Sequence, residues 1–284
     1  MDVNLPEFIT WKQFEAYHPY PEQAGKDRLF HLRPIAGVKD CRLEHLFVDG
    51  LLFHSAPERL NDPFECKPHY KEPANQAERD ILLSHLHKVL LKHGMHADEA
   101  MARIVGCIKN PTLLSQLLHQ SGLESFAEMR MYSFTASNNN LPMWTHYGAL
   151  HTGICIEFDA TVWPISGARK VKYQKEYPQI AYPPEEDERN MRPGLIKSEA
   201  WGYEQEFRHI FFPGAEVIPS NGDSIPLHPE TMTGLYFGVN ADPDEKDRIL
   251  KMVEKGPFNP KIYEGALSST KFKIEFDPMS NRLD

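Results

Sequence analysis

The segment KSEAWGYEQEFRHIFFP, residues 197–213, sets Glu204, Glu206 and Arg208 at alternate positions among large aromatic residues. Alternation at period two predicts a strand carrying all three charges on one face. Three readings fit that pattern: a solvated sheet face, a ladder of ion pairs, or the catalytic edge of an active site. In the last, a carboxylate handles a proton or faces a developing cation. An isolated Glu-x-Glu on a strand most often means an exposed face with cross-strand partners.

Other residues could join such a site. Asn61, Asp62 and Glu65 belong to NDPFE, a loop because Asp62 precedes Pro63 and is pushed out of helical geometry. Bracing that loop through side-chain-to-backbone hydrogen bonds is their first expectation, ahead of contact with substrate. Arg208 has two partners in prospect, Glu206 and Glu65. Trp144 and Tyr147 suit either a core or a ligand platform, and His31 and Lys197 are equally two-sided. His146 and His151 flank a turn near Glu157 and Asp159, where capping or loop bracing outweighs metal binding. His85 and His87 sit two apart on a predicted helix and cannot share a face, so no metal is expected there or elsewhere.

The elements that must position these residues read as follows. RLFHLRPI (28–35) is a short strand run, and a helical stretch after Cys41 leads through a turn at Asp49-Gly50 to a strand at Leu51–Ser55. Residues 74–130 carry apolar residues at three- and four-residue spacing, punctuated by Gly94 and Pro111, which predicts about three helices as an insertion. Strand signals resume at 129–137, 153–160, 168–174 and 234–240, and KFKIEFDP (271–278) alternates cleanly. Asp242-Pro243 sets the start of a helix. Residues 182–194 are read as an exposed, mobile loop. The expected fold is α+β: a mixed, mostly antiparallel sheet core in a single domain over 27–284, with the helical insertion 74–130 and a peripheral arm over 1–26.

Composition narrows the function classes. The net charge of −9 disfavours an electrostatic nucleic-acid binder. No apolar run approaches the roughly 20 residues of a membrane span, and the opening residues lack the basic-then-apolar order of a signal peptide. Four scattered cysteines without a C-x-x-C pair read as reduced thiols, so a cytoplasmic location is expected. The P-loop, dinucleotide fingerprint, nucleophile elbow and H-E-x-x-H motifs are all missing from the sequence.

Taken in order, LFHLRPI, LLFHSAPERLNDPFE, YSFTASNNNLPMWTHYGALHTGICIEFD, VKY and KSEAWGYEQEFRHI resemble a widespread bacterial family catalogued as a domain of unknown function. That resemblance implies no particular activity. A second resemblance is to ADP-ribosyltransferase-like enzymes of the Arg–Ser–Glu type. Arg33 ends the first strand, Ser133-Phe134-Thr135 lies on a middle strand, and Glu204-Gln205-Glu206 comes late. The Ser-x-Thr departs from the usual Ser-x-Ser.

This second resemblance implies NAD as substrate and a macromolecular acceptor, in an enzyme acting as a toxin or phage-defence effector. Glu206 would face the oxocarbenium-like ribose and Glu204 would orient the acceptor. Arg33 would grip a phosphate or ribose, and Ser133 would hold the glutamate or ribose. His31, Ser55, Thr135, Trp144 and Tyr147 would contact NAD, with Asn61, Asp62, Glu65, His146 and Arg208 beside them. Two alternatives stay open: a non-enzymatic ligand-sensing domain, and a metal-dependent nuclease built on Asp62, Glu65, Glu204 and Glu206.

Overall fold

Short β-branched and aromatic runs pair into strands here, and side-chain caps at Thr10, Asn75, Asn110, Asn140 and Asp242 start five of the helices. The computed structural model describes residues 9–35, 41–67, 69–177, 179–180, 188–213 and 220–279. In chain order the strands are β1 (Arg28–Arg33), β2 (Leu51–Phe53), β3 (His69–Tyr70), β4 (Arg130–Thr135), β5 (Ile154–Asp159), β6 (Arg169–Lys170) and β7 (Lys172–Gln174). They continue with β8 (Gln179–Ile180), β9 (Ile196–Ser198), β10 (Glu206–Phe211), β11 (Ser224–Pro226), β12 (Met232–Phe237), β13 (Lys261–Leu267) and β14 (Ile274–Pro278). The α-helices are α1 (Trp11–Tyr17), α2 (Arg42–Phe47), α3 (Gln76–Lys92), α4 (Ala97–Lys109), α5 (Pro111–Ala127), α6 (Leu141–His146) and α7 (Pro243–Lys255).

Eight strands form the main sheet in the order β14-β13-β12-β5-β1-β4-β10-β6, and β12–β13 is its parallel pair. The architecture is the mixed, mostly antiparallel α+β arrangement expected from sequence. One sheet face presents Leu29, Phe134, Phe158, Phe207 and Phe237 to a core closed by α2 and α7. Helix α7 starts where Asp242 accepts from the amides of Asp244 and Glu245, with Pro243 as its first residue.

The opposite face is covered in two places. At one end α6 lays Met143 and Trp144 over Leu32, Cys155 and Tyr236. At the other, Ile9 and Phe14 pack with Met131, Leu195 and Ile210. Residues 9–26, read as an arm, thus contribute two fully buried apolar side chains to this second cluster. Helices α3, α4 and α5 bury Leu82, Leu86, Ile104, Cys107 and Leu118 among themselves. Asn75 and Asn110 cap α3 and α5, so the insertion carries its own small core.

Two sequence expectations are corrected. The run 168–174, read as one strand, is split: β6 joins the main sheet and β7 pairs with β9, with buried Val171 between them. The segment 182–194 is not simply exposed: Glu188–Leu195 forms a 3₁₀ run that buries Arg192, Pro193, Gly194 and Leu195. Residues 182–187 of that expectation lie outside the described residues.

Candidate functional site

Strand β1 meets β4 at one register pair, Phe30↔Thr135, whereas β1–β5 and β4–β10 are each paired along six positions. A cavity of about 280 Å³ lies over this break, lined from one side by Phe30, His31 and Leu32 and from the other by Ser133, Phe134 and Thr135. The His31 imidazole crosses the gap, its Nδ1–H donating to the Ser133 carbonyl at 2.8 Å.

Antiparallel register puts Glu206 opposite Thr135 and Arg208 opposite Ser133, on the face that also carries Phe30. Strand β10 is buried at every position, so its charges are not a solvated face. Glu204 reaches the same cavity by another route. It ends a 3₁₀ run (Glu199–Glu204), and Gln205 then takes a left-handed conformation with φ 48° and ψ 48° before β10 begins. The expectation that Glu204 and Glu206 share a strand face is therefore corrected: a turn, not strand alternation, brings them together.

The floor of the cavity is a buried ion cluster. Lys197 Nζ donates to Glu204 Oε2 at 2.6 Å and Glu206 Oε2 at 3.3 Å, and lies 3.0 Å from Glu65 Oε1. Arg208 holds Glu206 in a fork, Nε to Oε1 at 2.6 Å and Nη2 to Oε2 at 2.9 Å. The same Nη2 donates to Glu65 Oε2, and Nη1 donates to the Gly194 carbonyl at 2.9 Å. All five side chains are at most 5% exposed. Three carboxylates against two cations leave one excess negative charge when all are ionised.

The two strand-end carboxylates have opposite tendencies. Burial pushes the Glu204 carboxyl up, a shift that Lys197 and the hydrogen bond from Tyr147 only partly oppose. Burial also pushes Glu206 up, but Arg208 and Lys197 beside it, with hydrogen bonds from Arg208 and Ser133, hold it down at about 2. Such a split is how one site keeps one carboxyl able to exchange a proton and another permanently ionised. Glu204 also ends a relay: Asn61 Nδ2 donates to the Tyr147 hydroxyl at 2.8 Å, and that hydroxyl donates to Glu204 Oε1 at 2.6 Å.

Of the residues anticipated from sequence, His31, Ser55, Asn61, Glu65, Ser133, Thr135, Tyr147, Glu204, Glu206 and Arg208 line this one cavity. Four do not. Arg33 is three positions from Phe30 on β1, which sends it to the other sheet face, so the Arg–Ser–Glu set is not assembled around Arg33. Trp144 is fully buried, with its Nε1 donating to the Asn138 carbonyl, and is a core residue. His146 is exposed at the end of α6, and Asp62 lines a different cavity.

Sequence reasoning undervalued Lys197, which is the centre of the cluster, and missed Tyr173, whose hydroxyl accepts from the Glu206 amide at 2.8 Å. The signal for Lys197 was its place at the head of the KSEAWGYEQEFR pattern.

The segment from α6 to β10 thus holds Tyr147, Lys197, Glu204, Glu206 and Arg208. Residues 143–209 match the family described as "Protein of unknown function (DUF2971)". The DUF2971 match contains the cluster's lysine, its arginine and two of its three glutamates; Glu65, Asn61 and Ser133 come from outside it. No curated protein and no solved structure matches the chain.

Proposed function

We propose that the cavity over the β1–β4 break cleaves the nicotinamide–ribose bond of NAD and passes the ADP-ribosyl group to water or a macromolecular acceptor. The observation that carries this reading is the placing of Glu204, held by Tyr147 and Lys197, beside Glu206, forked by Arg208, on the buried floor of one cavity. As the C1′–N bond breaks, its electron pair leaves with the ring nitrogen, the pyridinium becomes neutral nicotinamide, and positive charge develops at the ribose. A buried floor with an excess of negative charge stabilises that cation. The acceptor hydroxyl then bonds to C1′ and gives its proton to Glu204.

This assignment redistributes the roles implied by resemblance. Glu206 is gripped by both Arg208 and Lys197, so it acts as a positioning residue and a fixed negative charge. Glu204 is the proton-handling carboxylate, steadied by Tyr147 and Lys197. The toxin or phage-defence role is part of this proposal and rests on the resemblance to ADP-ribosyltransferase-like enzymes alone.

The test is incubation of the protein with NAD, with and without a cell lysate, followed by nicotinamide release and ADP-ribosyl labelling. Wild type should release nicotinamide, and Glu204→Gln should reduce the rate by 100-fold or more, on the order of general acid–base contributions. Intact NAD and an unlabelled lysate with wild type would sink the proposal. A second reading rests on the complete internal pairing of Glu206: the same cavity binds a ligand without turnover. It predicts tight binding that survives Glu204→Gln.

A further inference from the structure

Helix α4 carries apolar residues on two faces. Its buried residues are Ala100, Ile104 and Cys107, the last two in the core shared with α3 and α5. A second set, Met101, Val105 and Ile108, repeats the four- and three-residue spacing and stands in solvent, at 50%, 39% and 54% exposure. Leu113, near the start of α5 and 44% exposed, continues this stripe: its Cδ1 lies 3.8 Å from the point where a side chain on Gly106 would begin. A surface helix ordinarily turns one apolar stripe to the core and a polar face to water. The outer stripe of α4 is a second apolar face, with no cover among the described residues.

The two ends of the stripe carry opposite charges. Asp98, Met101, Val105 and Lys109 step by three, four and four residues and so share one side of the helix. The Asp98 carboxylate is fully in solvent, and Lys109 is exposed without a carboxylate partner among the described residues. A partner of one charge sign would be attracted at one end and repelled at the other. A parallel copy of the same helix would set like charges together at both ends. An antiparallel copy sets Asp98 of each chain against Lys109 of the other, and the same register lays the branched Val105 against the small, exposed Ala102. Each contact is then made twice about a twofold axis, with the helix dipoles opposed.

We propose that the outer face of α4 pairs with the same face of a second copy of this chain, antiparallel about a twofold axis. Met101, Val105, Ile108 and Leu113 form its apolar centre, and Asp98 and Lys109 close it at each end. The patch is small. One helix face with Leu113 falls short of the roughly 800 Å² per partner of a standard interface, so the two copies form and part readily. The pairing is independent of the reaction proposed for the cavity over the β1–β4 break.

Sedimentation equilibrium of the full chain tests it over loading concentrations from about 1 to 100 μM, the range in which a small interface associates. The average mass should rise with concentration from 32.7 kDa towards twice that value. Val105→Glu, at an exposed position, places a carboxylate in the middle of the apolar stripe and should hold the chain at monomer mass. Asp98→Lys and Lys109→Glu each set like charges together at both ends of the pair and should weaken self-association about fivefold or more. Mixed one to one, these two variants bring opposite charges together again at both ends and should associate about as tightly as wild type. A wild type that stays monomeric at the highest concentration overturns the proposal. So does a dimer that Val105→Glu leaves intact, or a mixture that associates no better than either charge variant alone.

Discussion

Lys197 donates to both Glu204 and Glu206, 2.6 and 3.3 Å from one oxygen of each, and so ties the end of a 3₁₀ run to the first residue of β10. Without that ammonium, Glu65, Glu204 and Glu206 would face each other across a buried floor with Arg208 as the remaining cation of the cluster. Removing one partner of a buried ion pair costs about 3–5 kcal/mol because the remaining charges are left uncompensated. Lys197→Met is therefore expected to lower unfolding free energy by about that amount, read from urea denaturation at neutral pH. A loss under about 1 kcal/mol would show that the cluster does not hold these elements together.

Tyr147→Phe removes one hydroxyl and nothing else from the site. The fold should survive, at a cost of about 1–2 kcal/mol for the lost hydrogen bonds to Glu204 and from Asn61. The Tyr147 hydrogen bond lowers the Glu204 pKa, so its removal lets burial push that carboxyl higher still. If Glu204 accepts the acceptor's proton, it works ionised, and the acid limb of the NAD-cleavage profile should move to higher pH in the variant. An unmoved limb with reduced rate would assign Tyr147 to substrate contact instead.

Much of this arrangement is legible in the sequence, and the gaps have physical causes. The insertion's three helices carry their own caps at Asn75 and Asn110 and their own apolar spacing, so local signals sufficed. Alternation correctly paired Glu206 with Arg208 on one face of β10. It could not reveal that Gln205 leaves the strand conformation, because a left-handed glutamine has no composition signature comparable to glycine's. Nor could order along the chain place Arg33: parity on β1 sends it to the face opposite Phe30, and chain order says nothing about parity. Lys197 stays two-sided in the sequence because its three carboxylate partners lie on separate elements, up to 132 residues earlier in the case of Glu65.

Acid should destabilise the protein in a window set by its buried histidines. His18, His54 and His209 are almost wholly buried, and burial lowers their pKa values to about 4, 3 and 4 from 6.5. His54 and His209 share a hydrogen bond, Nε2 to Nδ1 at 3.0 Å, which one neutral ring must donate and the other accept. Below pH 6.5 the unfolded chain takes up protons at these positions while the native state does not. Stability therefore falls as pH drops from about 6.5 towards 4, by about 1.4 kcal/mol per histidine per pH unit at most. Glu206 adds a second loss of the other kind: its folded pKa is depressed, so its contribution is present above 4.5 and disappears as pH falls towards 2. Denaturant midpoints at pH 7.5, 6 and 5 should decline in that order; a flat series would contradict the neutral buried histidines.

The turn at Gln205 allows a sharper test of how the two carboxylates are brought together. A non-glycine residue with left-handed backbone costs roughly 1 kcal/mol, and the Gln205 side chain is exposed, so nothing in its packing offsets that strain. Gln205→Gly relaxes the conformation but loosens the unfolded chain, and the two effects oppose each other. Stability should change by less than about 1 kcal/mol, and NAD cleavage should be retained. Gln205→Val puts a β-branched residue at the same φ and should destabilise by about 1–2 kcal/mol. It should also slow cleavage more than its stability loss explains, because Glu204 is displaced from Tyr147 and Lys197. Equal behaviour of the glycine and valine variants, in melts and in turnover, would mean that the cluster positions Glu204 without help from the turn.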